Sequence, residues 1–239
     1  MIPTMNRLLL AALSFPLIAA APAERRYSVT EFDRIRVSGP YEVVLKTGLG
    51  PSARAIADRP SDIDDVMLDV EGRELRVRAR KPALGGAPWK GPGGGVRIEV
   101  STHGIRSAAV TGPGALTIDS AKAQRFVVGL GGSGSITIDQ LETDILSLGA
   151  AGSGQLRIGE GQAKTATVHV MGSAEVMAPR LVTDQLQVDA ETAGRIEMNA
   201  RTSARIRALG AGEIRVSGRA ACSVDRRGRG PVECGVSVR

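Results

Sequence analysis

Apolar and polar residues alternate in short runs along this chain, and between residues 110 and 216 the runs return at a fixed interval. One phrase recurs there: an apolar residue, a small turn built on glycine, then two apolar residues spaced by one. It reads VTGPGALTI at 110–118, LGGSGSITI at 130–138 and AAGSGQLRI at 150–158, and continues more loosely as VMGSAEVMA, AETAGRIEM and ALGAGEIRV. With the second small residue of each turn as the mark, the copies fall at Gly114, Gly134, Gly154, Ala174, Gly194 and Gly212. The spacing is twenty residues four times and then eighteen. A period of this length signals a stacked-repeat architecture.

Side chains alternate along a strand, so stacking the copies tests the register. Four columns stay apolar. They are Leu116, Ile136, Leu156, Val176, Ile196, Ile214; Ile118, Ile138, Ile158, Ala178, Met198, Val216; Val128, Leu148, Val168, Val188, Ile206; and Val110, Leu130, Ala150, Val170, Ala190, Ala208. The columns between are mostly polar or small, and Glu175, Arg195 and Glu213 alternate in sign, as do Glu197 and Arg215. In-register stacking makes these cross-strand ion pairs.

Twenty residues is too short for a strand, a crossover helix and a return. It suits one coil of a parallel β-solenoid with two or three short strands per coil. The fold class expected is therefore all-β, a right-handed parallel β-helix or close relative with an atypical N-terminal cap. The rival is a twisted antiparallel sandwich. Residues 24–239 then form one domain: capping strands and a Gly/Pro loop at 24–100, repeat coils at 101–217, and a C-terminal cap at 218–239. In the first part, the stretch around Ser38-Gly39-Pro40 is an opening copy of the phrase. Ser61 and Asp64 suggest a capped helical turn, and alternating strands at 67–70 and 74–80 cover the open end of the stack.

Residues 1–23 carry one basic residue, Arg7, then an apolar run that closes with Ala21-Pro22-Ala23. This is the pattern of a secretory signal peptide cut before Glu24, which places the product in the periplasm or outside a bacterial cell. No later stretch is apolar enough to span a membrane. The formal charge is +6; losing Arg7 leaves +5. Because the charges are interleaved along strands, they read as a solvated surface and point away from nucleic acid.

The segments FDRIRVSGPYEVVLKTG at 32–48, VTGPGALTI and LGGSGSITI resemble the autotransporter-adhesin head GIN domain family. The resemblance covers residues 32–216 and extends toward the tail. It implies a bacterial secreted domain with a β-helix-like fold, and it supplies no catalytic residues. After the repeats comes no segment of alternating membrane-barrel strands, so the expectation is an exported soluble domain.

Few residues invite chemistry. Cys222 and Cys234, around a DRRGRGP turn, are expected to form a disulfide closing a C-terminal hairpin in an oxidising compartment. The two histidines, His103 and His169, have no partner at metal-binding spacing. Asp119 and Asp139 stand at equivalent places on adjacent coils, but turn-forming residues fill that whole column: Gly159, Pro179 and Asn199 follow. Residues 81–95, KPALGGAPWKGPGGG, form a Gly/Pro loop holding Trp89 beside Lys90. These two are the candidate ligand contacts, against a reading in which Trp89 folds back on the solenoid flank.

No cofactor or metal is expected. The leading function is a non-enzymatic envelope or secreted module that binds a surface glycan or an envelope protein, with oligomers formed through the solenoid ends. The alternatives are a polysaccharide-active enzyme using Asp119 and Asp139, and a purely structural subunit. Against the enzyme stands a mature chain with only Tyr27, Phe32, Tyr41, Trp89 and Phe126 to make a ring-stacking sugar platform.

Overall fold

Each copy of the phrase folds as a long strand that bends around a coil, because apolar positions alternate through the whole copy and glycine breaks the strand only at the turn. The computed structural model describes residues 22–80 and 95–236. The repeat comprises β9 (Ala115–Gly132), β10 (Ser135–Gly152), β11 (Gln155–Gly172), β12 (Glu175–Thr192) and β13 (Ile196–Ala208). Each pairs in parallel with the next. The expected two or three separate strands per coil are thus merged, in β9 to β12, into eighteen-residue strands.

The pairing follows the sequence register. Ile136 meets Leu116 and Leu156, while Leu148 meets Val128 and Val168. All four predicted columns point inward, and every member is at most 3% exposed. A further inward column, Phe126, Leu146, Ala166, Leu186 and Ala204, completes the core. At the marked turns the coils stack through backbone: a Cβ on Gly134 would collide with the Gly114 carbonyl, which is why so little side chain occurs there.

The N-terminal part extends the same stack, in an order that differs from the chain order. Its elements are β1 (Ala23–Tyr27), β2 (Arg34–Ser38), β3 (Glu42–Thr47), β4 (Ser52–Ala57), α1 (Pro60–Asp64), β5 (Val66–Glu71), β6 (Glu74–Ala79), β7 (Val96–Thr102) and β8 (Ser107–Thr111). β2 and β3 form the opening copy and lie between β6 and β7 on one side and β8 and β9 on the other. Val37 meets Val110, and Val43 meets Leu116. Antiparallel strands then end the parallel stack: β4 and β1 on one face, β5 on the other. The helical turn starts at Pro60, and Arg59 at its N-cap makes no side-chain cap. The expected Ser61 cap is therefore not formed, because proline at the first helical position already fixes φ and needs no partner for a missing N–H.

At the other end lie β14 (Ile214–Ser217), β15 (Ala221–Arg226) and β16 (Val232–Val236). The expected C-terminal hairpin is replaced by a further coil: β15 pairs in parallel with β13, and β16 with β14. Cys222 lies beside Ala204, and Cys234 beside Val216, so the cysteines continue inward columns of two different faces. Gly230 follows Gly212 by eighteen residues and stacks on it, continuing the turn column.

The outward charges follow the simple alternation only in part. As the column predicts, Arg195 reaches Glu213 on the next coil at 3.2 Å, and it also lies 3.7 Å from Glu197, two residues along the chain. Arg215 turns to Glu213 at 3.3 Å and Glu233 at 3.0 Å instead of to Glu197. Gln155 donates to Glu175 at 3.1 Å. The long arginine side chain selects among acids on both sides, a choice that column position alone does not fix.

A candidate binding groove on the narrow side

Between the two broad faces each coil turns through a third side, where Gln140 meets Glu160 and Glu142 meets Gln162. Alternation there buries Ala121, Leu141 and Leu181 and turns Lys122, Glu142, Gln162 and Val182 outward. The corner is tight enough that Thr143 and Thr183 are buried, and each hydroxyl is satisfied by backbone. Thr183 donates to the Asn199 carbonyl at 2.8 Å, and Thr143 donates to those of Gln124 and Ile145.

The eighteen-residue interval of the sequence arises here. Val176 meets Ile196, twenty residues on, whereas Gln185 meets Ser203, eighteen on. The two missing residues come out of the narrow side and leave the broad faces in register. Arg201, on the shortened coil, lines two open recesses together with Lys122, Glu142, Gln162 and Val182. Their volumes are about 580 and 730 Å³.

Ion pairs run along the recesses from coil to coil. Lys122 bonds Glu142 at 3.0 Å, Lys164 bonds Asp144 at 2.7 Å, and Arg201 bonds Asp184 at 2.6 Å. Hydrogen bonding to Asp144 raises the Lys164 ammonium above its ordinary range. Arg180 donates to the Gly159 carbonyl at 3.2 Å and Gln140 to Glu160 at 3.4 Å. The result is a row of charged and amide side chains about 4.8 Å apart from coil to coil. It suits hydrogen bonding to an extended polar ligand.

The residues singled out in the sequence lie elsewhere. Trp89 and Lys90 fall outside the described residues, as do residues 1–21 of the expected signal peptide; β1 begins at Ala23. Asp119 accepts from the Thr47 backbone N–H at 3.0 Å, the Thr47 hydroxyl at 3.2 Å and the Ser120 N–H at 2.6 Å. It thus ties the end of β3 to β9, a turn role. His103 Nδ1 lies 2.9 Å from Glu31, and His169 Nδ1 lies 3.5 Å from Asp189. Cys222 and Cys234 form the disulfide, with Cα atoms 6.2 Å apart. No sequence motif announced the groove; the eighteen-residue interval was its one signal.

A family model described as "Putative auto-transporter adhesin, head GIN domain" matches residues 31–220. No curated protein sequence matches the chain. A crystal structure of a putative adhesin from Bacteroides fragilis superposes with a TM-score of 0.76 at 18% identity, covering 90% of this chain and 97% of that one. A putative adhesin from Parabacteroides distasonis gives 0.67 at 18% identity, with 89% and 96% covered. A structure called a putative lipid binding protein, also from P. distasonis, gives 0.68 at 18%, with 91% and 97% covered. At such identity these neighbours establish a shared fold.

Proposed function

The chain belongs to the auto-transporter adhesin head GIN domain family, and on that premise we propose that it is an exported, non-enzymatic module that binds a surface glycan along its narrow side. The carrying observation is the pair of recesses at Arg201, where polar side chains repeat coil by coil. An extended, hydroxyl-rich polymer offers matching donors and acceptors at regular intervals. Export is supported by the signal-like residues 1–23 and by a disulfide suited to an oxidising compartment. Among the described residues, no helix is long and apolar enough to cross a membrane. The lipid-binding name of one neighbour finds less support here, since charged groups line both recesses.

The test is to screen the chain from Glu24 onward on glycan arrays and envelope fractions. Val182→Arg places a long side chain in the lining that the two recesses share, while Thr137→Arg places the same side chain on a broad face. Saturable glycan binding that weakens about tenfold in Val182→Arg alone supports the groove. Equal binding by both variants overturns it, and release of cleaved saccharide restores the enzyme reading with Asp119 and Asp139.

A further inference from the structure

At the other end of the stack, three arginines converge on one carboxylate. Asp33, Arg73 and Arg106 immediately precede β2, β6 and β8, which lie side by side in the order β6, β2, β8. The two arginines therefore flank Asp33 from neighbouring strands. Arg73 Nε is 2.9 Å and Arg106 Nε 3.1 Å from the same oxygen, Oδ2. Arg34 lies alongside, with Nε 3.7 Å from Oδ1 and its terminal nitrogen on the Gly72 carbonyl.

This cluster is more than a brace for Asp33. Three guanidinium groups face one carboxylate, so positive charge predominates around Asp33. Of the acids close by, Glu31 is hydrogen-bonded by Thr102 and His103 and also feels Arg73, while Glu74, opposite Arg34, is engaged by Arg36 and Arg76. Arg73 and Arg106 each spend only Nε on Asp33, and among the described residues their terminal amino groups make no hydrogen bond. Both side chains are 56% exposed. Asp33 Oδ1 and Arg34 Nε, 3.7 Å apart, are buried and make no hydrogen bond among the described residues, so the accessible donors of the cluster are those of Arg73 and Arg106.

The backbone adds an independent sign. Gly72 and Arg73 form the two-residue turn between β5 and β6, with φ of +53° and +66°. Arg73 is the one non-glycine residue with positive φ among the described residues. Such a turn accepts glycine freely, whereas arginine there costs about 1 kcal/mol. The contacts the turn itself needs, from the Asp33 and Arg34 N–H groups to the Arg73 carbonyl at 3.1 and 3.2 Å, are backbone contacts that any residue supplies. What arginine adds is a second guanidinium opposite Arg106. A long charged side chain carried at a left-handed position in spite of that cost is consistent with a site.

We propose that Arg73 and Arg106, set on either side of Asp33, bind a phosphate group, carried by a soluble phosphoester or by a lipid headgroup. A tetrahedral oxyanion accepts from two forks at once and neutralises the excess charge. The site is separate from the narrow-side groove and stands or falls without it.

The test is titration of the mature chain with inorganic phosphate at low salt, followed by calorimetry, with melting temperatures recorded in phosphate-free buffer. Arg73→Gly relieves the left-handed strain, so it is expected to keep or raise the melting temperature while weakening phosphate about tenfold. Arg106→Gln is expected to weaken it similarly, and Arg205→Gln, distant on the same face, to leave it unchanged. Sedimentation with phosphatidylcholine vesicles, with and without phosphatidic acid, distinguishes the sources. Uptake that needs both phosphatidic acid and the two arginines assigns a headgroup; phosphate binding without vesicle uptake assigns a soluble phosphoester. Absence of saturable phosphate binding, or affinity within twofold of wild type in both arginine variants, overturns the proposal.

Discussion

Cys222 and Cys234 sit on opposite faces of the last coil, and their disulfide spans the coil where the next one would stack. Val224, on the same coil, is 45% exposed although its neighbour Ile206 is fully buried. The bond therefore stands in for missing apolar burial. Replacing both cysteines by serine should cost about 3 kcal/mol by loop entropy. Hydrogen exchange should quicken at 221–226 and 232–236 and stay slow in β10 and β11. Uniform acceleration along the stack would show instead that the disulfide holds the whole domain.

Two glycines three residues apart should respond in opposite ways. Gly152 has φ of +108°, and a Cβ there would lie 2.5 Å from the Gly132 carbonyl oxygen. Gly149 has ordinary φ and nothing within 4 Å of its added Cβ. Gly152→Ala should destabilise by roughly 2 kcal/mol or more, since both strain and backbone displacement act. Gly149→Ala should be neutral or stabilising by about 0.5 kcal/mol. Urea denaturation of the two variants decides this, and similar losses in both would refute the stacking account.

Tyr41 is 5% exposed under the N-terminal cap, its hydroxyl 3.4 Å from the Asp65 carbonyl. Burial pushes its pKa up to about 12. The folded state thus holds a proton that the unfolded chain releases near pH 10. Stability carried by the neutral phenol is complete below pH 10 and is lost as pH rises toward 12. Tyr41→Phe should flatten the alkaline fall in melting temperature over that window; an unchanged fall would place the alkaline sensitivity elsewhere.

Acid sensitivity should trace partly to Glu99. Hydrogen bonds from Arg54, the shorter at 2.6 Å, hold its carboxyl below the usual range, with Arg97 adding to the effect. Because the folded pKa is depressed, this contribution is present above the unfolded value and disappears as pH falls through the folded one. The pair is partly solvated, so Glu99→Gln should remove at most about 1 kcal/mol at neutral pH. The gap between variant and wild type should close below about pH 4, as thermal melts across the acid range will reveal.

The coil is written in the repeat. Alternation at period two chose the inward residues of β9 to β13, and the twenty-residue interval set which residue of one coil meets which of the next; the pairing of Ile136 with Leu116 follows from that interval alone. Local periodicity suffices there because each strand pairs with its immediate successor. The two ends depend instead on packing between distant segments. Val37 pairs with Val77 and Val110, forty and seventy-three residues on, and the second separation fits no multiple of the twenty-residue interval. At the C-terminus, one turn of the phrase separates Cys222 from Cys234 as it would in a hairpin, and only packing on Ala204 and Val216 shows that they close a coil. The groove and the arginine cluster were hidden for the same reason. Each is made by side chains from several strands, and their approach depends on where a coil shortens at Arg201 or where a late hairpin brings Arg73 beside Asp33.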